Sequence, residues 1–314
     1  MNDCKTEDSK DEQIKITTAS KLFRDLSNSK TFDRKEIPLT ALSELVSKHG
    51  CQLIQGAELW EETLNFSKII STGTKKVDLL LDGGLYTGEM IEIFGPPSCG
   101  KTQFAFNVVA NVLLSKAMNV LVYDSCGSFS AKRINELASF KNPELSPTQS
   151  RELFSKLSCV KVFDIFCLLT HLEQLKEKLS SGIDQFTTRL KFIIVDSITL
   201  LISPILGGKQ TQGHGLMARL SILLKELAYE NNIAVLVVNG TVTAKTGEYF
   251  NNKFKPALGK HWLSAPHVRL FMEFASTKDL TLRKLTIHKH HRLPILKNNA
   301  SFYISKLGLQ DDTS

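Results

Sequence analysis

The sequence predicts an α/β fold with a mainly parallel sheet flanked by helices, and two observations support this class. From residue 70 onward, short apolar runs alternate with longer stretches of helical spacing. Strands that alternate with helices form βαβ units, whose crossover helices cover both faces of a parallel sheet. In addition, the run at 90–94 ends in a glycine-rich turn that opens the next helical stretch, as in phosphate-binding α/β proteins.

Each element is predicted from its apolar pattern and its length. Buried strands are expected at 90–94, 119–124, 160–163, 191–196 and 233–239. Helices are expected between them, at 102–114, 131–140, 166–179 and 216–230. Three later strand-like runs have little helix between them and are expected to extend the sheet in antiparallel fashion, at 268–274, 282–289 and 300–304.

The N-terminal part of the chain has a different character. Residues 1–14 are polar and acidic, which is typical of a disordered tail. Residues 15–56 contain two short helical patterns and are expected to form a small helical region with a linker. The α/β core is expected over 57–309, and 52–70 is expected to be linker followed by a lead-in strand. A chain of 314 residues suffices for such a core with a small appendage.

Composition excludes several classes of protein. No run of about 18 apolar residues occurs, so a membrane span is not expected. The first residues lack the apolar segment of a secretion signal. The six cysteines form no Cys-x-x-Cys pair, which argues against a zinc site and a disulfide framework and fits a reducing compartment.

The net charge of +7 is concentrated in one segment. Residues 239–292 contain ten basic and three acidic side chains, so this segment accounts for all of the net charge. Two interpretations stay open: a solvated lysine-rich face, or a surface that binds a polyanion such as nucleic acid.

The glycine-rich turn matches the P-loop pattern Gly-x4-Gly-Lys-Thr and predicts a site for ATP. Its glycines allow the backbone to curl around phosphate oxygens, the following helix contributes a partial positive charge, and the lysine contributes a full one. The predicted ATP-binding residues are Gly95, Pro96, Pro97, Ser98, Cys99, Gly100, Lys101 and Thr102.

A P-loop requires Mg²⁺, for which Thr102 offers a hydroxyl and a neighbouring strand should offer a carboxylate. Asp196 ends the buried run at 191–196 and is the predicted carboxylate. Asp124 also ends a strand, and either reaches the site through a water molecule or caps the helix that begins near Ser130.

Several segments resemble the RecA-like recombinase family over about 57–309, most of the chain. They include the lead-in at 71–89 and the strands that end in Asp124-Ser125 and Asp196-Ser197. Shorter motifs resemble the D-type paralogue of the eukaryotic strand-exchange recombinases, at 57–59, 84–89, 163–166, 203–208 and 255–259. The resemblance implies a RecA-like P-loop NTPase core with a small N-terminal helical appendage.

Two positions depart from what the resemblance implies for catalysis. The family's catalytic glutamate corresponds to Cys126, and its γ-phosphate-sensing glutamine corresponds to Gly240. Loss of a positioned base costs roughly 100- to 10,000-fold in rate. We therefore expect a protein that binds ATP and hydrolyses it slowly or not at all, at most as a slow DNA-stimulated ATPase.

The resemblance also implies two DNA-facing loops, at about 203–215 and 242–260. Lysines on such loops attract phosphates, and aromatic side chains stack on unpaired bases. The alternative is that the aromatic residues, Tyr249, Phe250 and Phe254, dock the second loop on the body of the protein. The candidate DNA-binding residues are Lys209, Lys245, Lys253, Lys255 and Lys260.

The segment at 288–292, His-Lys-His-His-Arg, suggests either a metal site or a basic surface strand, and the second is favoured because no acidic residue or cysteine lies nearby in sequence. By the resemblance, this region lies near the nucleotide bound to a neighbouring subunit. Lys289, Arg292 and Pro294 are the candidate contacts to that nucleotide.

The resemblance further implies the partners: other recombinase paralogues in a hetero-complex, single-stranded or branched DNA, no membrane, and a place in the nucleus. Self-polymerisation through a Phe-x-x-Ala anchor is in doubt, because no phenylalanine is in register at 53–57. Two alternatives to a mediator of homologous recombination stay open: an active strand-exchange ATPase, and an ATPase of the same fold that does not act on DNA.

Overall fold

The computed structural model describes residues 54–115, 117–206, 212–243, 254–294 and 299–312. The predicted tail and nearly all of the predicted N-terminal helical region lie outside these residues. The chain divides into two compact units, Met1–Glu61 and Glu62–Ser314. The boundary falls inside helix α1 (Gly56–Phe66), which occupies much of the linker expected at 52–70. The linker prediction is therefore wrong there, and Glu58 in the first turn suits the positive end of the helix dipole.

The second unit is built on strands, several of which follow the predicted runs closely, whereas those at 85–86, 241–243, 254–256 and 308–311 were not predicted. In chain order they are β1 (Ile69–Ile70), β2 (Leu85–Tyr86), β3 (Met90–Phe94), β4 (Asn119–Asp124), β5 (Leu157–Lys161), β6 (Leu190–Asp196), β7 (Ala234–Asn239), β8 (Thr241–Thr243), β9 (Phe254–Pro256), β10 (Val268–Phe274), β11 (Leu282–Lys289), β12 (Asn299–Ser305) and β13 (Gly308–Asp311). Within the described part of the chain, nine of them form one sheet in the order β13-β12-β11-β10-β3-β7-β6-β4-β5.

The larger part of this sheet is parallel, as predicted. Strands β10, β3, β7, β6, β4 and β5 run in the same direction. Strands β11, β12 and β13 continue it in antiparallel pairing, which confirms the expectation for 282–289 and 300–304. For the run at 268–274 the antiparallel prediction is wrong, because β10 pairs in parallel with β3. The long connection from β7 makes this possible, because parallel neighbours need a crossover of about a dozen residues or more.

The helices of the second unit pack on the two faces of the sheet. They are α2 (Lys75–Leu80), α3 (Lys101–Leu114), α4 (Ala131–Lys141), α5 (Pro147–Phe154), α6 (Ile165–Ser181), α7 (Gln185–Thr188), α8 (Ile198–Ile202), α9 (Gln212–Asn231) and α10 (Gly259–Leu263). Helix α5 was not predicted, although its start carries a readable signal. Ser146 and Gln149 form a capping box around Pro147 at the first helical position.

Strand β5 begins and ends earlier than the predicted strand at 160–163. Among the described strands it is an edge strand whose one partner is β4, and its side chains are half-buried or exposed. Such a strand does not show the continuous apolar run of a buried one. The apolar Phe163, which suggested the strand, lies outside it with 81% of its side chain exposed.

The core has two halves, one on each face of the sheet, because successive side chains of a strand point to opposite sides. On β3, Ile91 and Ile93 pack with α3 in one half, whereas Met90 belongs to the other half, which contains α6 and α9. Burying one such side chain stabilises the fold by about 1.5–3 kcal/mol. The sheet is thereby fixed with the carboxyl ends of β3, β4, β6 and β7 at one common edge.

Candidate nucleotide-binding site

The predicted phosphate loop connects the end of β3 to the start of α3 at this edge. Its backbone has positive φ angles at Ser98 (62°) and at Gly100 (102°), a region that favours glycine. Gly95 is required for a different reason, since a Cβ there would lie 2.0 Å from the carbonyl oxygen of Met272 on β10. The glycines therefore permit the tight curl that a phosphate loop needs.

Lys101 lies across this loop. Its Nζ donates to the carbonyl oxygens of Gly95 and Pro96, each at 2.8 Å. A full positive charge is thus held beside the N-terminus of α3, where the helix dipole adds a partial one. The same lysine lies near the buried Cys99, whose thiol pKa is raised mainly by burial. Cys99, itself a residue of the loop, therefore contributes a buried and neutral thiol.

Arg283 on β11 supports the loop from below. Its Nε donates to the carbonyl oxygen of Cys99 at 2.6 Å, and its guanidinium lies 4.1 Å from the centre of the Phe274 ring. Only 7% of Arg283 is exposed. A Cβ on Gly100 would lie 2.4 Å from Ile304 of β12. Sequence reasoning missed these supports, because it counted Arg283 only as one charge of the basic segment.

Thr102 and Asp196 meet at the end of β6, as predicted. The Thr102 hydroxyl donates to Asp196 Oδ2 at 2.7 Å, and Asp196 is 5% exposed. Burial raises the pKa of this carboxyl, while the bond from Thr102 opposes the rise. A hydroxyl and a carboxylate oxygen beside a phosphate loop are the donor types that Mg²⁺ prefers. These two residues fit the role of holding the cation.

Asp124 stabilises the turn that follows β4. Its carboxylate accepts the backbone N–H groups of Cys126, Ser128 and Phe129, each at 3.2 Å. Ser130 caps helix α4 itself, because its hydroxyl accepts the N–H of Arg133. Two roles were predicted for Asp124: a contact to the site through water, or a cap on the helix near Ser130. The geometry supports a capping-type role, in which Asp124 caps the turn before α4 and Ser130 caps α4 itself.

Cys126 lies at the edge of the site on this turn. Its Sγ is 3.0 Å from Ser128 Oγ and 3.6 Å from the carbonyl oxygen of Asp196. Partial burial, together with the carboxylates of Asp196 and Asp124, raises the pKa of the thiol. The side chain at this position is therefore a neutral thiol at pH 7 and does not accept a proton as a carboxylate would.

Gly240 lies just after β7. Its N–H donates to the hydroxyl of Thr199 at 2.6 Å. A Cβ at this position would lie 3.3 Å from the same hydroxyl. The position therefore contributes backbone to the site and no side chain that reaches a ligand.

These residues share one cavity of about 630 Å³. The predicted Gly95, Pro97, Ser98, Gly100, Lys101, Thr102, Cys126, Asp196 and Gly240 all line it. Pro96 and Cys99 do not. Sequence reasoning missed several lining residues, namely Gln103, Ser197, Thr199, Leu200, Val238, Asn239 and Thr241. Most of them directly follow or precede predicted residues at strand and helix ends, and that adjacency was the available signal.

The candidate DNA-binding lysines are only partly described. Lys209, Lys245 and Lys253 lie outside the described residues. Lys255 is half-buried on β9, and Lys260 is exposed on α10. Lys255 is part of the β8–β9 hairpin and Lys260 follows it, and the hairpin begins at Thr241, which lines the cavity. The start of the basic segment, at Asn239, Gly240 and Thr241, thus lines the nucleotide cavity, whereas neither Lys255 nor Lys260 does.

The three candidate contacts to a neighbouring nucleotide, Lys289, Arg292 and Pro294, lie away from the cavity. Lys289 pairs with Arg269 near the start of β10, which runs parallel to β3. The cavity is at the opposite end of these strands, where β3 leads into the P-loop. Arg292 Nε donates to Glu89 Oε1 at 2.5 Å, and its guanidinium lies 3.6 Å above the Tyr86 ring. Pro294 is exposed. These residues do not join this chain's own site.

Two of the three histidines of this segment, His288 and His290, are half-buried, and His291 is exposed. His288 lies edge-on to Phe94 at 5.3 Å between ring centres. His290 Nδ1 accepts the N–H groups of Arg292 and Leu293, each at 3.2 Å. Burial lowers the pKa of both histidines to about 4. Among the described residues, no cluster of three or more histidine, cysteine or acidic side chains is arranged to hold a metal ion.

The P-loop after β3, the Thr102–Asp196 pair at the end of β6 and this sheet order together define a RecA-like α/β protein of the P-loop class. No helix in the described ranges is both long and apolar enough to cross a membrane. The profile of the family described as Rad51 matches residues 66–312. The chain belongs to the Rad51 family.

Curated relatives agree with this assignment. The chain is 37% identical to the DNA repair protein RAD51 homolog 4 of Mus musculus over 253 residues, which cover 80% of this chain and 75% of that protein. It is 36% identical to the protein of the same name from Bos taurus over 252 residues, or 80% and 76% of the two chains. It is 31% identical to the probable RAD51 homolog 4 of Dictyostelium discoideum over 77% and 76%. The predicted resemblance is confirmed.

Proposed function

We propose that this chain is an ATP-binding paralogue of the strand-exchange recombinases that acts in DNA repair by homologous recombination, as a mediator or scaffold in the nucleus. The observation that carries the proposal is the contrast within one cavity. The cavity contains Lys101 and a Thr102–Asp196 pair, groups suited to phosphate and Mg²⁺, whereas the positions that the resemblance assigns to the base and the γ-phosphate sensor hold Cys126 and Gly240. The names of the relatives support the link to repair.

ATP fits the cavity through the elements described above. Lys101 and the N-terminus of α3 attract the phosphates, and Thr102 with Asp196 holds Mg²⁺. The bound nucleotide would bring the negative charge of its phosphates, which Lys101 and the bound Mg²⁺ would neutralise. Bound ATP then acts as a structural ligand or slow switch that sets the assembly of the chain with its partners.

Retention of ATP and its turnover are separable by experiment. We expect Lys101→Ala to weaken ATP binding by 10-fold or more, because a charge-assisted contact is worth about 1.5–3 kcal/mol. Lys75→Ala, an exposed lysine on α2, is the matched control and should bind as the parent does. Fluorescent-nucleotide titration gives the affinity and phosphate release gives the rate. A brisk, DNA-stimulated turnover that disappears in Lys101→Ala would instead identify an active strand-exchange ATPase.

The proposed partners are single-stranded or branched DNA and other recombinase paralogues. Support for DNA comes from the basic segment 239–292, part of which leaves the cavity as the β8–β9 hairpin. Lys289, Arg292 and Pro294, at the other end of the sheet, are proposed to face the nucleotide of a neighbouring subunit. Co-purification with candidate paralogues, with and without Lys101→Ala, tests the hetero-complex and its dependence on nucleotide.

A further inference from the structure

A chain of half-buried and buried hydrogen bonds leads from the nucleotide cavity to the base of the β8–β9 hairpin. It begins at Thr199, which lines the cavity on α8. The Thr199 hydroxyl accepts the N–H of Gly240 and donates to Asn239 Oδ1, each at 2.6 Å. One hydroxyl thus connects two consecutive residues at the end of β7.

Asn239 carries the connection onward. It is fully buried, and its Nδ2 donates to Glu92 Oε1 at 2.6 Å and to the carbonyl oxygen of Ala257 at 3.2 Å. The N–H of Ala257 in turn donates to the carbonyl oxygen of Gly240 at 3.0 Å. Residues 240 and 257 flank the hairpin, so the amide of Asn239 fixes the point where the hairpin enters and leaves the sheet.

Glu92 extends the network to the helix after the hairpin. It is fully buried on β3, and its carboxylate accepts Trp262 Nε1 at 2.8 Å and the Nε of Arg269. Trp262 belongs to α10, and its carbonyl oxygen accepts Arg269 Nη2 at 3.3 Å. This buried carboxylate has a defined geometry, because Arg269 compensates its charge at Oε2 while the neutral N–H groups of Asn239 and Trp262 donate to Oε1.

We propose that Thr199 and Asn239 are positioning residues that couple the nucleotide cavity to the β8–β9 hairpin and α10. Thr241 lines the cavity itself, and Gly240 has no side chain that could contact a ligand. The Thr199 hydroxyl and the Asn239 amide therefore provide the side-chain route from the cavity to the base of the hairpin and to α10. The inference rests on the proposed function, since it assumes that the cavity binds ATP. It adds the route by which binding reaches the basic segment.

Hydrogen exchange of the hairpin tests the coupling directly. Peptides that cover 241–243, 254–257 and 259–263 are followed with and without saturating Mg²⁺–ATP, and saturation is verified by titration for each variant. The parent chain should show exchange slowed about 5-fold or more on binding, the lower range of typical coupling between sites. Thr199→Val, which removes both hydrogen bonds, should show less than about 2-fold slowing.

Two further variants separate coupling from a general loss of structure. Thr199→Ser keeps the hydroxyl and should restore the parent response. Thr187→Val removes a buried threonine hydroxyl near the start of β6, whose bond goes to the carbonyl oxygen of Asp184, and should behave as the parent does. Asn239→Leu is less suitable, because it leaves Glu92 short of a partner and risks the fold.

The outcomes distinguish the two proposals. If the parent chain binds ATP and the hairpin does not respond, or if Thr199→Val responds as fully as the parent, the coupling is overturned and the proposed function is untouched. If the parent chain does not bind ATP at any concentration tested, the proposed function fails and the coupling fails with it.

Discussion

At the scale of single residues, the cavity combines a complete P-loop with Cys126 and Gly240 at the two positions where the resemblance implies catalytic side chains. The phosphate and cation residues are identifiable from sequence because the P-loop imposes a fixed order on glycine, lysine and threonine. Cys126 and Gly240 are identifiable only against the resemblance. The supports beneath the loop were not predictable, because Arg283 lies 184 positions from Cys99 and has no motif of its own.

Cys126→Glu tests whether the missing carboxylate limits turnover. We expect the rate of ATP hydrolysis to rise about 10- to 100-fold, below the roughly 100- to 10,000-fold that a well-positioned base contributes, because Gly240 remains. Phosphate release under saturating ATP measures the rate. Cys126→Gln, which has a similar shape and no proton acceptor, is the control. An equal rise in both variants would argue against a base at this position.

Arg283→Met tests the support beneath the P-loop. The substitution keeps much of the apolar stem and removes the bond to the carbonyl oxygen of Cys99. A bond from a charged donor contributes about 1.5–3 kcal/mol, so we expect ATP affinity to fall about 10-fold and thermal stability to decrease. Titration and thermal melting measure the two effects. Lys284→Met, the next residue on β11, serves as the control, and an identical loss there would contradict a specific role.

At the scale of elements, the apolar pattern predicted strands and helices wherever burial is continuous. It failed where burial is partial. The edge strand β5 is half-exposed, and it was predicted a few residues too far toward the C-terminus. The short helices α2 and α5 were not predicted. The parallel pairing of β10 with β3 was also not predictable, because pairing direction depends on a crossover that the local pattern does not encode.

Histidines around β10 and β11 make the stability of the fold dependent on pH. Burial lowers the pKa of His267 to about 4, as it does for His288 and His290. The usual histidine pKa is about 6.5, so the folded state favours the neutral ring. The stability that these neutral histidines contribute is fully present above pH 6.5 and is lost as the pH falls from 6.5 toward 4.

His267→Gln tests this dependence. His267 Nδ1 accepts the N–H of Met90 at 2.9 Å, and glutamine offers an acceptor that does not titrate. We expect the melting temperature of the variant to fall less between pH 7 and pH 5 than that of the parent chain. Thermal melts across this range measure it. A variant with the same decline as the parent would show that His267 does not contribute.

At the scale of the whole molecule, the charge distribution predicts that the affinity for DNA depends on salt concentration. Lysines that contact phosphates release counterions, so affinity falls with rising salt. Single-strand binding should show a slope of log affinity against log salt of about −0.7 for each phosphate contacted. Lys260→Ala should make the slope shallower by about 0.7. Lys132→Ala on α4 is the control, and a flat salt response in the parent would exclude binding through phosphates.

The P-loop and cation residues lie between positions 95 and 196, yet the loop rests on residues much further along the chain. Gly95 packs on Met272, Cys99 accepts a bond from Arg283, and Gly100 packs on Ile304. A premature stop codon after the codon for Asp196 and before the codon for residue 283 would therefore leave the P-loop and cation residues intact and still remove Arg283 and Ile304, which support the loop. Truncated alleles of this kind are expected to behave genetically like loss of the nucleotide site itself, even though the coding sequence of the motif is complete.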